Sequence, residues 1–204
     1  MSRFSVRGAP QMVCPFFMDD VMHPAFDPQP TLTGATLHMR PLHGDDLDPL
    51  YDVAKDPAVW AGHPAKDRHQ RTVFTPYFDM LLDSQSTLAA TLITTGRVIG
   101  CSRYYTPPQQ DGGISIGFTF LGRDWWGGAS NLEMKSLMLG HAFAQVDRVW
   151  LHIDPGNIRS QRATAKLGAT RVSEGALRLN GKDGTWQSWV VERATWQQRT
   201  AAQA

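Results

Sequence analysis

The sequence predicts an α/β domain of the mixed-sheet, α+β kind: a central, mostly antiparallel sheet with helices on both faces. Three observations predict it. Three strand-like runs follow one another between Ser86 and Leu121 with only turns between them, as in an antiparallel meander. A strand, a glycine turn, a helix and another strand then span Ile114 to Ile153, and such a crossover returns parallel and right-handed. A further helix and a hairpin close the chain. A meander feeding this alternation requires one mixed sheet covered by helices.

At 204 residues the chain is one domain with residues to spare, or a tight pair, because domains commonly span ~100–200 residues. The pattern assigns the surplus to the N-terminus. Residues 1–34 carry Pro10, Pro15, Pro24, Pro28 and Pro30 with no sustained helical or strand period, and proline at that density stops helices and central strands. They read as an N-terminal extension, loosely ordered or draped on the domain; Met22 is an alternative start that would remove most of it. The domain is expected over 35–198, with 199–204 as a tail.

Leu37 to Leu42 is a short strand. Gly44-Asp45-Asp46 offers N-cap oxygens, and Leu47, Leu50, Tyr51 and Ala54 recur at helical spacing until Asp56-Pro57 ends the helix. Gln70 to Asp83 is a second helix with a stripe of Val73, Phe74, Tyr77, Phe78, Leu81 and Leu82, and Pro76 inside it predicts a kink or a late start. Ser86–Thr94, Arg97–Tyr105 and Ile114–Leu121 are the meander strands; on the third, Ile114, Ile116, Phe118 and Phe120 alternate onto one face. A helix from about Asn131 to Gln145 is apolar on several sides, the mark of deep burial. Val149–Ile153 is a strand, broken by Asp154-Pro155-Gly156-Asn157. Ile158–Leu167 is a helix closed by Gly168 at the C′ position. Thr170–Arg178 and Trp186–Arg193 pair as a hairpin around Asn180-Gly181-Lys182-Asp183-Gly184.

Composition excludes several functions. Lys and Arg number 20 against 19 Asp and Glu, a formal charge of +1, so the basic excess of a nucleic-acid binder is missing. No polybasic tail suits a membrane surface, and no apolar run approaches the ~18–20 residues that span a bilayer. Arg3 and Arg7 before Val13-Cys14-Pro15-Phe16-Phe17-Met18 imitate a secretion signal, but the apolar stretch is short, holds a proline and runs into Asp19-Asp20. Cys14 and Cys101 lie far apart with no CxxC spacing and read as free thiols in a reducing cytoplasm. The seven histidines form no HxxH or HxxxH pair, so no metal site is expected.

Two turns carry the chemistry. In Trp126-Gly127-Gly128-Ala129-Ser130-Asn131 the glycines admit positive φ and close backbone approach, and the amides of Gly128 to Asn131 open a helix. Unpaired amides with a helix dipole behind them suit a phosphate; the alternative is a tight connection and nothing more. No Gly-Lys-Ser/Thr follows, so it is not a Walker loop. Asn157 and Ser160 stand one turn apart at the next helix start, either facing one ligand or forming a plain N-cap.

The strand end Ile116-Gly117-Phe118-Thr119-Phe120-Leu121 followed by Trp126-Gly127-Gly128-Ala129 resembles the acyl-CoA motif of the GNAT superfamily of N-acetyltransferases. Asn157-x-x-Ser160, Lys166-Leu167-Gly168-Ala169 and Glu174-Gly175-Ala176-Leu177-Arg178 are similar to its ribosomal-protein N-terminal acetyltransferase (RimJ/RimL-like) branch, as is the opening from Thr31 to Leu42. The likeness covers about Pro30 to Trp196 and implies a GNAT-like fold with a splayed parallel strand pair. It implies that acetyl-CoA, the cosubstrate, lies in that splay. Its pyrophosphate would sit on the amides of Gly127, Gly128, Ala129, Ser130 and Asn131, its pantetheine and thioester on backbone near Phe120 and Leu121, and Asn157 and Ser160 would bind beside it. Ser160 would protonate the departing thiolate.

The chain departs from the family pattern at Asp124, at Ser115 and at Thr164, where other branches carry a tyrosine acid. His152, Asp154 and Glu133 are the base candidates, and His152 has the suitable intrinsic pKa. The catalytic residues expected are therefore Ser160 and His152. The implied activity is acetyl transfer to a primary amine, a protein N-terminus or a small molecule, by direct attack in a ternary complex. The alternatives are a non-catalytic acyl-CoA-binding or sensing module, and a transferase using a longer acyl-CoA. The partners are the amine acceptor and, as an open alternative, a second copy in a homodimer; neither nucleic acid nor membrane is expected.

Overall fold

The computed structural model describes residues 26–107, 110, 113–179 and 181–202. The meander is its centre: β3 (Thr87–Leu92), β4 (Val98–Tyr105) and β5 (Ile114–Leu121) pair antiparallel in sequence order. On one side β1 (Leu32–Thr33) and β2 (Leu37–Pro41) extend the sheet, and on the other β6 (Arg148–Ile153), β7 (Thr170–Leu179) and β8 (Lys182–Glu192) do so. The spatial order is β1-β2-β3-β4-β5-β6-β8-β7, and among the described residues only β5 and β6 run parallel. This is the mixed sheet that the order of strands and helices predicts.

Helices cover both faces. α1 (Leu47–Ala54), α2 (Pro57–Trp60) and α3 (Arg71–Asp83) enclose one core with Leu50, Trp60, Phe74 and Phe78, against Ala89, Cys101 and Phe120 of the sheet. α4 (Ser130–Ala142) fills the other with Met134, Met138 and Leu139, against Ile114, Ile116, Val149 and Leu151; Leu167, at the end of α5 (Ile158–Lys166), joins that core. Gly168 takes φ +83° at the C′ position, as its place after the helix requires.

Three elements depart from the sequence expectation, and for a fourth, α3, one of its two alternatives is removed. Asp56-Pro57 ends α1 but also starts α2, because Asp56 Oδ1 accepts from Ala58 N at 2.9 Å and Pro57 fits the first helical position, where no N–H is needed. α3 runs from Arg71 through Pro76, so the helix does not start late. The hairpin closes between Leu179 and Lys182, a tighter turn than the five-residue cluster suggests. α6 (Arg193–Ala201) forms where only a strand end and a tail were expected; its sequence is polar and lacks an apolar stripe, the signal that marks a helix.

One correction has functional weight. Phe118 and Phe120 do not share a face with Ile114 and Ile116. Register runs from Arg103 opposite Gly117 to Cys101 opposite Phe120, three steps against two, which is a β-bulge. Phe118 carries it at φ +52°, a left-handed conformation uncommon for a bulky residue. The extra residue moves Phe118 and Phe120 to the α1–α3 side and returns Leu121 to the α4 side.

Residues from Phe26 to Gly34, which the sequence assigns to an N-terminal extension, pack on the sheet and contribute a strand to it. Phe26 is buried edge-on against Tyr104 at 5.0 Å between ring centroids, and β1 pairs with β2. Met22 and Cys14 lie outside the described residues.

Asp46 fastens β2 to the start of α1. Its carboxylate, 6% exposed, accepts from both terminal nitrogens of Arg40 at 2.7 Å and from His43 N at 2.8 Å. Burial pushes the carboxyl up, but these hydrogen bonds and the Arg40 charge outweigh it and hold the group below the usual carboxylate range. A lowered folded pKa means stability present at neutral pH and lost as pH falls through that pKa. Asp46→Ala is expected to cost about 3 kcal/mol in urea unfolding at neutral pH, and its gap from the parent protein should close in acid. A gap unchanged by acid would assign the loss to packing alone.

Candidate active site

The site grows from a failure of pairing. β5 and β6 match only at Ile114 with Val149 and Ser115 with Trp150. Beyond that the strands part, β5 held on its outer side by β4 and β6 by a six-residue ladder with β8. Backbone groups on the inner edges of the two arms face the gap, and such groups call for partners. One is engaged: Trp126 Nε1 donates to Leu121 O at 2.8 Å. The Phe120 side chain is buried against Trp60, at 5.0 Å between centroids, and its carbonyl oxygen is turned to Gly100 of β4, so on this arm Leu121 is the residue whose backbone oxygen faces away from β4.

The glycine turn lies at the end of the β5 arm. Gly127 takes φ +72°, and a Cβ placed on Gly127 or Gly128 would meet nothing within 4 Å, so the space above the turn is open. Trp126 N bonds Arg123 O and Glu133 N bonds Ala129 O. Between them, among the described residues, no hydrogen bond occupies the amides of Gly127, Gly128, Ala129, Ser130, Asn131 and Leu132. Ala129, at the N-cap, has no side chain to cap them. Such a run of unbonded amides has the chemistry to cradle an anion, a diphosphate among them.

The opposite rim is the start of α5. Asn157 Oδ1 accepts from Ser160 N at 3.1 Å, so the side chain does act as an N-cap. Its amide nitrogen and the half-buried Ser160 hydroxyl have no hydrogen-bond partner among the described residues and remain available to a ligand. Asp154 folds back to accept from Gly156 N at 2.8 Å.

On β6, Val149, Leu151 and Ile153 are buried, the first two against the α4 core, and alternation turns Trp150 and His152 to the other face. There they border a cavity of about 320 Å³ with Gln110, Glu174, Leu177 and Ser188. His152 is stacked on Trp150, with Nδ1 3.1 Å from Ser188 Oγ and Nε2 3.3 Å from Gln110 Oε1. Burial pushes its pKa down to about 4, so the ring is neutral at physiological pH. His152 and Ser160 stand on different elements and share no hydrogen-bond partner among the described residues. A larger cavity, about 490 Å³, lies by α1 and Arg97, away from both arms of the gap, and Arg40 and Asp46 on its wall are spent on each other.

Glu133 is committed elsewhere. It accepts from Thr36 N at 2.7 Å, Leu37 N at 3.1 Å and the Thr36 hydroxyl, tying α4 to the β1–β2 turn. The Cys101 thiol is buried and pushed up to about 12, which removes it as a nucleophile. Among the described residues no His, Cys, Asp or Glu cluster could hold a metal ion, and no helix is long and apolar enough to cross a membrane.

The sequence reading passed over Lys135. It lies on α4 among apolar residues, 5% exposed, and Nζ donates to Ser102 Oγ at 3.0 Å and Thr119 Oγ1 at 2.6 Å. Thr119 belongs to the bulge, so this lysine ties the helix behind the anion cradle to the distorted arm of β5. A lysine inside an apolar run was the available signal.

A family model for the acetyltransferase (GNAT) domain matches residues 36–170. The fold is similar to a GCN5-related N-acetyltransferase from Brucella melitensis, with a TM-score of 0.72 and 17% identity over 89% of this chain and 85% of that one. It is also similar to an acetyltransferase of the GNAT family from Bacillus anthracis (0.65, 14%, 80% and 98%) and to Mycobacterium smegmatis RimJ in complex with CoA-disulfide (0.61, 17%, 89% and 97%). No curated protein matches the chain in sequence.

Burial pushes the Lys135 ammonium down to about 7, the Cys101 thiol opposing it. A base lowered on folding binds fewer protons folded than unfolded, so stability rises with pH between about 7 and about 10.5. Lys135→Met removes that dependence. The stability difference between the Met variant and the parent should therefore shift by about 2–4 kcal/mol in the parent's favour from about pH 6 to about pH 10, read by urea unfolding. A pH-independent difference would show that the ammonium is not desolvated.

Proposed function

The chain belongs to the GNAT acetyltransferase family, whose members use acetyl-CoA, and from that premise we propose that it acetylates a primary amine by direct attack in a ternary complex. The acceptor class proposed is a protein N-terminus or a small-molecule amine, in the manner of the RimJ/RimL-like branch whose motif order the chain follows. The observation that carries the reading is the run of open amides from Gly127 to Leu132 at the end of a parted strand pair. The acetyl-CoA diphosphate fits the cradle, the amides of its pantetheine arm fit the unpaired edges of the gap, and the Asn157 amide nitrogen and Ser160 hydroxyl supply further donors. We place the enzyme in the cytosol, where a reduced buried thiol such as Cys101 persists.

The cavity beside His152 is the proposed acceptor side. The amine nitrogen attacks the acyl carbon, the carbon–sulfur bond breaks, and CoA leaves as thiolate, which accepts a hydrogen bond from the Ser160 hydroxyl and takes its proton from water through that hydroxyl, which is reprotonated as it gives its own. Attack makes the amine nitrogen strongly acidic, so a neutral imidazole of low pKa suffices to take its proton. His152, poised between Ser188 and Gln110, is that group. Most of the acceleration comes from holding the two reactants together.

The deciding experiment is an acceptor screen that follows free CoA. Release that rises with particular amines is expected; binding of acetyl-CoA without turnover on any amine would leave a binding module. His152→Gln should lower turnover at least tenfold with acetyl-CoA affinity unchanged, while Gly127→Val, strained at positive φ, should weaken acetyl-CoA and leave the melting temperature of the free protein within a few degrees. Unaltered affinity in the Val variant would remove the turn from the cofactor site.

A further inference from the structure

Two arginines stand where the α2 roof meets the rim of α5, and neither is neutralised. Arg68 lies flat on Tyr77, 3.7 Å from the ring centroid, and 5.4 Å from that of Trp60. Its Nη1 is 3.5 Å from His63 Nε2. Arg159, the second residue of α5, stacks on Trp126 at 3.8 Å and donates from Nη2 to Val59 O at 3.0 Å. They are neighbours: they touch the consecutive α2 residues Val59 and Trp60, and both charges act on the His63 ring, whose pKa burial and these charges push down to about 4. Several other arginines are paired with carboxylates, Arg40 with Asp46, Arg123 with Asp56 and Arg193 with Asp147. Among the described residues no carboxylate lies within ion-pair distance of Arg68 or Arg159.

Their position ties them to the reacting end. Trp60 packs on Phe120 of the open β5 arm, and a Cβ on Gly62 would lie 3.5 Å from Asn157 Oδ1. Aromatic stacking fixes the plane of each guanidinium and leaves most of its five N–H donors free. A pre-oriented, partly desolvated fork matches a carboxylate or a phosphate in two-point contact. The cofactor diphosphate already has the backbone cradle, so the arginines are left for an anion on a reactant.

We propose that Arg68 and Arg159 form a subsite for a carboxylate carried by one of the two reactants, so that the enzyme prefers either an anionic amine or an acyl-CoA whose acyl chain ends in a carboxylate. This rests on the acyl-transfer reading above and narrows its substrate class.

The test compares matched pairs. One arm sets amino acids and short peptides against acceptors of equal size that lack a carboxylate, with acetyl-CoA as donor. The other sets succinyl-CoA against the neutral four-carbon butyryl-CoA with one amine. At least a tenfold preference in kcat/KM for the carboxylate-bearing member of one pair is expected, and the arm in which it falls identifies the carrier. Arg68→Gln and Arg159→Gln should each erase that preference while leaving the affinity for free CoA unchanged. Arg→Lys variants, which keep charge but lose the fork, should restore part of it. Equal use of both members of each pair would overturn the proposal, as would Gln variants that weaken free CoA and keep the preference, since the arginines would then serve the cofactor phosphates. Calorimetric binding of the same pairs, the acceptors in the presence of CoA, keeps the test informative without turnover. Preferential binding with no acyl transfer would sink the catalytic reading and keep the subsite.

Discussion

The parting of β5 from β6 is the constraint on which the rest of the structure depends. Two strands that stayed paired would satisfy each other's backbone groups and leave no site. Here the pairing stops after two residue pairs, and each arm keeps its shape because it is laddered on its outer side, β5 to β4 and β6 to β8. The inner edges can then wait for a ligand without collapsing together. The bulge at Phe118 turns the Phe118 and Phe120 side chains into the α1–α3 core, which keeps their bulk on that side of the sheet.

α4 has to be held firmly for its N-terminal amides to serve. Three polar fasteners fix it within an otherwise apolar bed. Glu133 catches the β1–β2 turn, Lys135 catches Ser102 and Thr119, and the Tyr104 hydroxyl donates to Met138 O at 2.9 Å. Burying a lysine without a carboxylate is costly, and the hydroxyl pair offsets part of that cost while ordering the bulge. The polar groups in this core therefore sit where the sheet departs from regularity.

A formal charge of +1 conceals an uneven field. The open amides from Gly127 to Leu132 are neutral donors, and an anion held by such amides needs no basic patch. Two guanidinium groups without a carboxylate partner among the described residues, Arg68 and Arg159, lie nearby, stacked on Tyr77 and Trp126. Global balance thus says little about local recognition. The neutral His152 and the weakened Lys135 follow the same rule, since burial rather than neighbouring charge sets both.

The sequence by itself determined the mixed sheet, the two helix starts and the family. Those depend on local signals: alternation in the meander, glycines ahead of α4, Asn157 ahead of α5 and Gly168 after it. Each works over a few residues, through backbone freedom or a single cap, and so is written in the order of the chain. Tertiary structure alone decided the rest. The face of Phe118 and Phe120 follows from one extra residue in a strand pair, and pairing register is not readable from one strand. Glu133 left the list of bases because its partners Thr36 and Leu37 lie almost a hundred positions away. Lys135, Arg68 and Arg159 acquired meaning only when helices packed them against hydroxyls or aromatic faces, because a charge is defined chemically by the groups and solvent around it. Sequence separation carries none of that information.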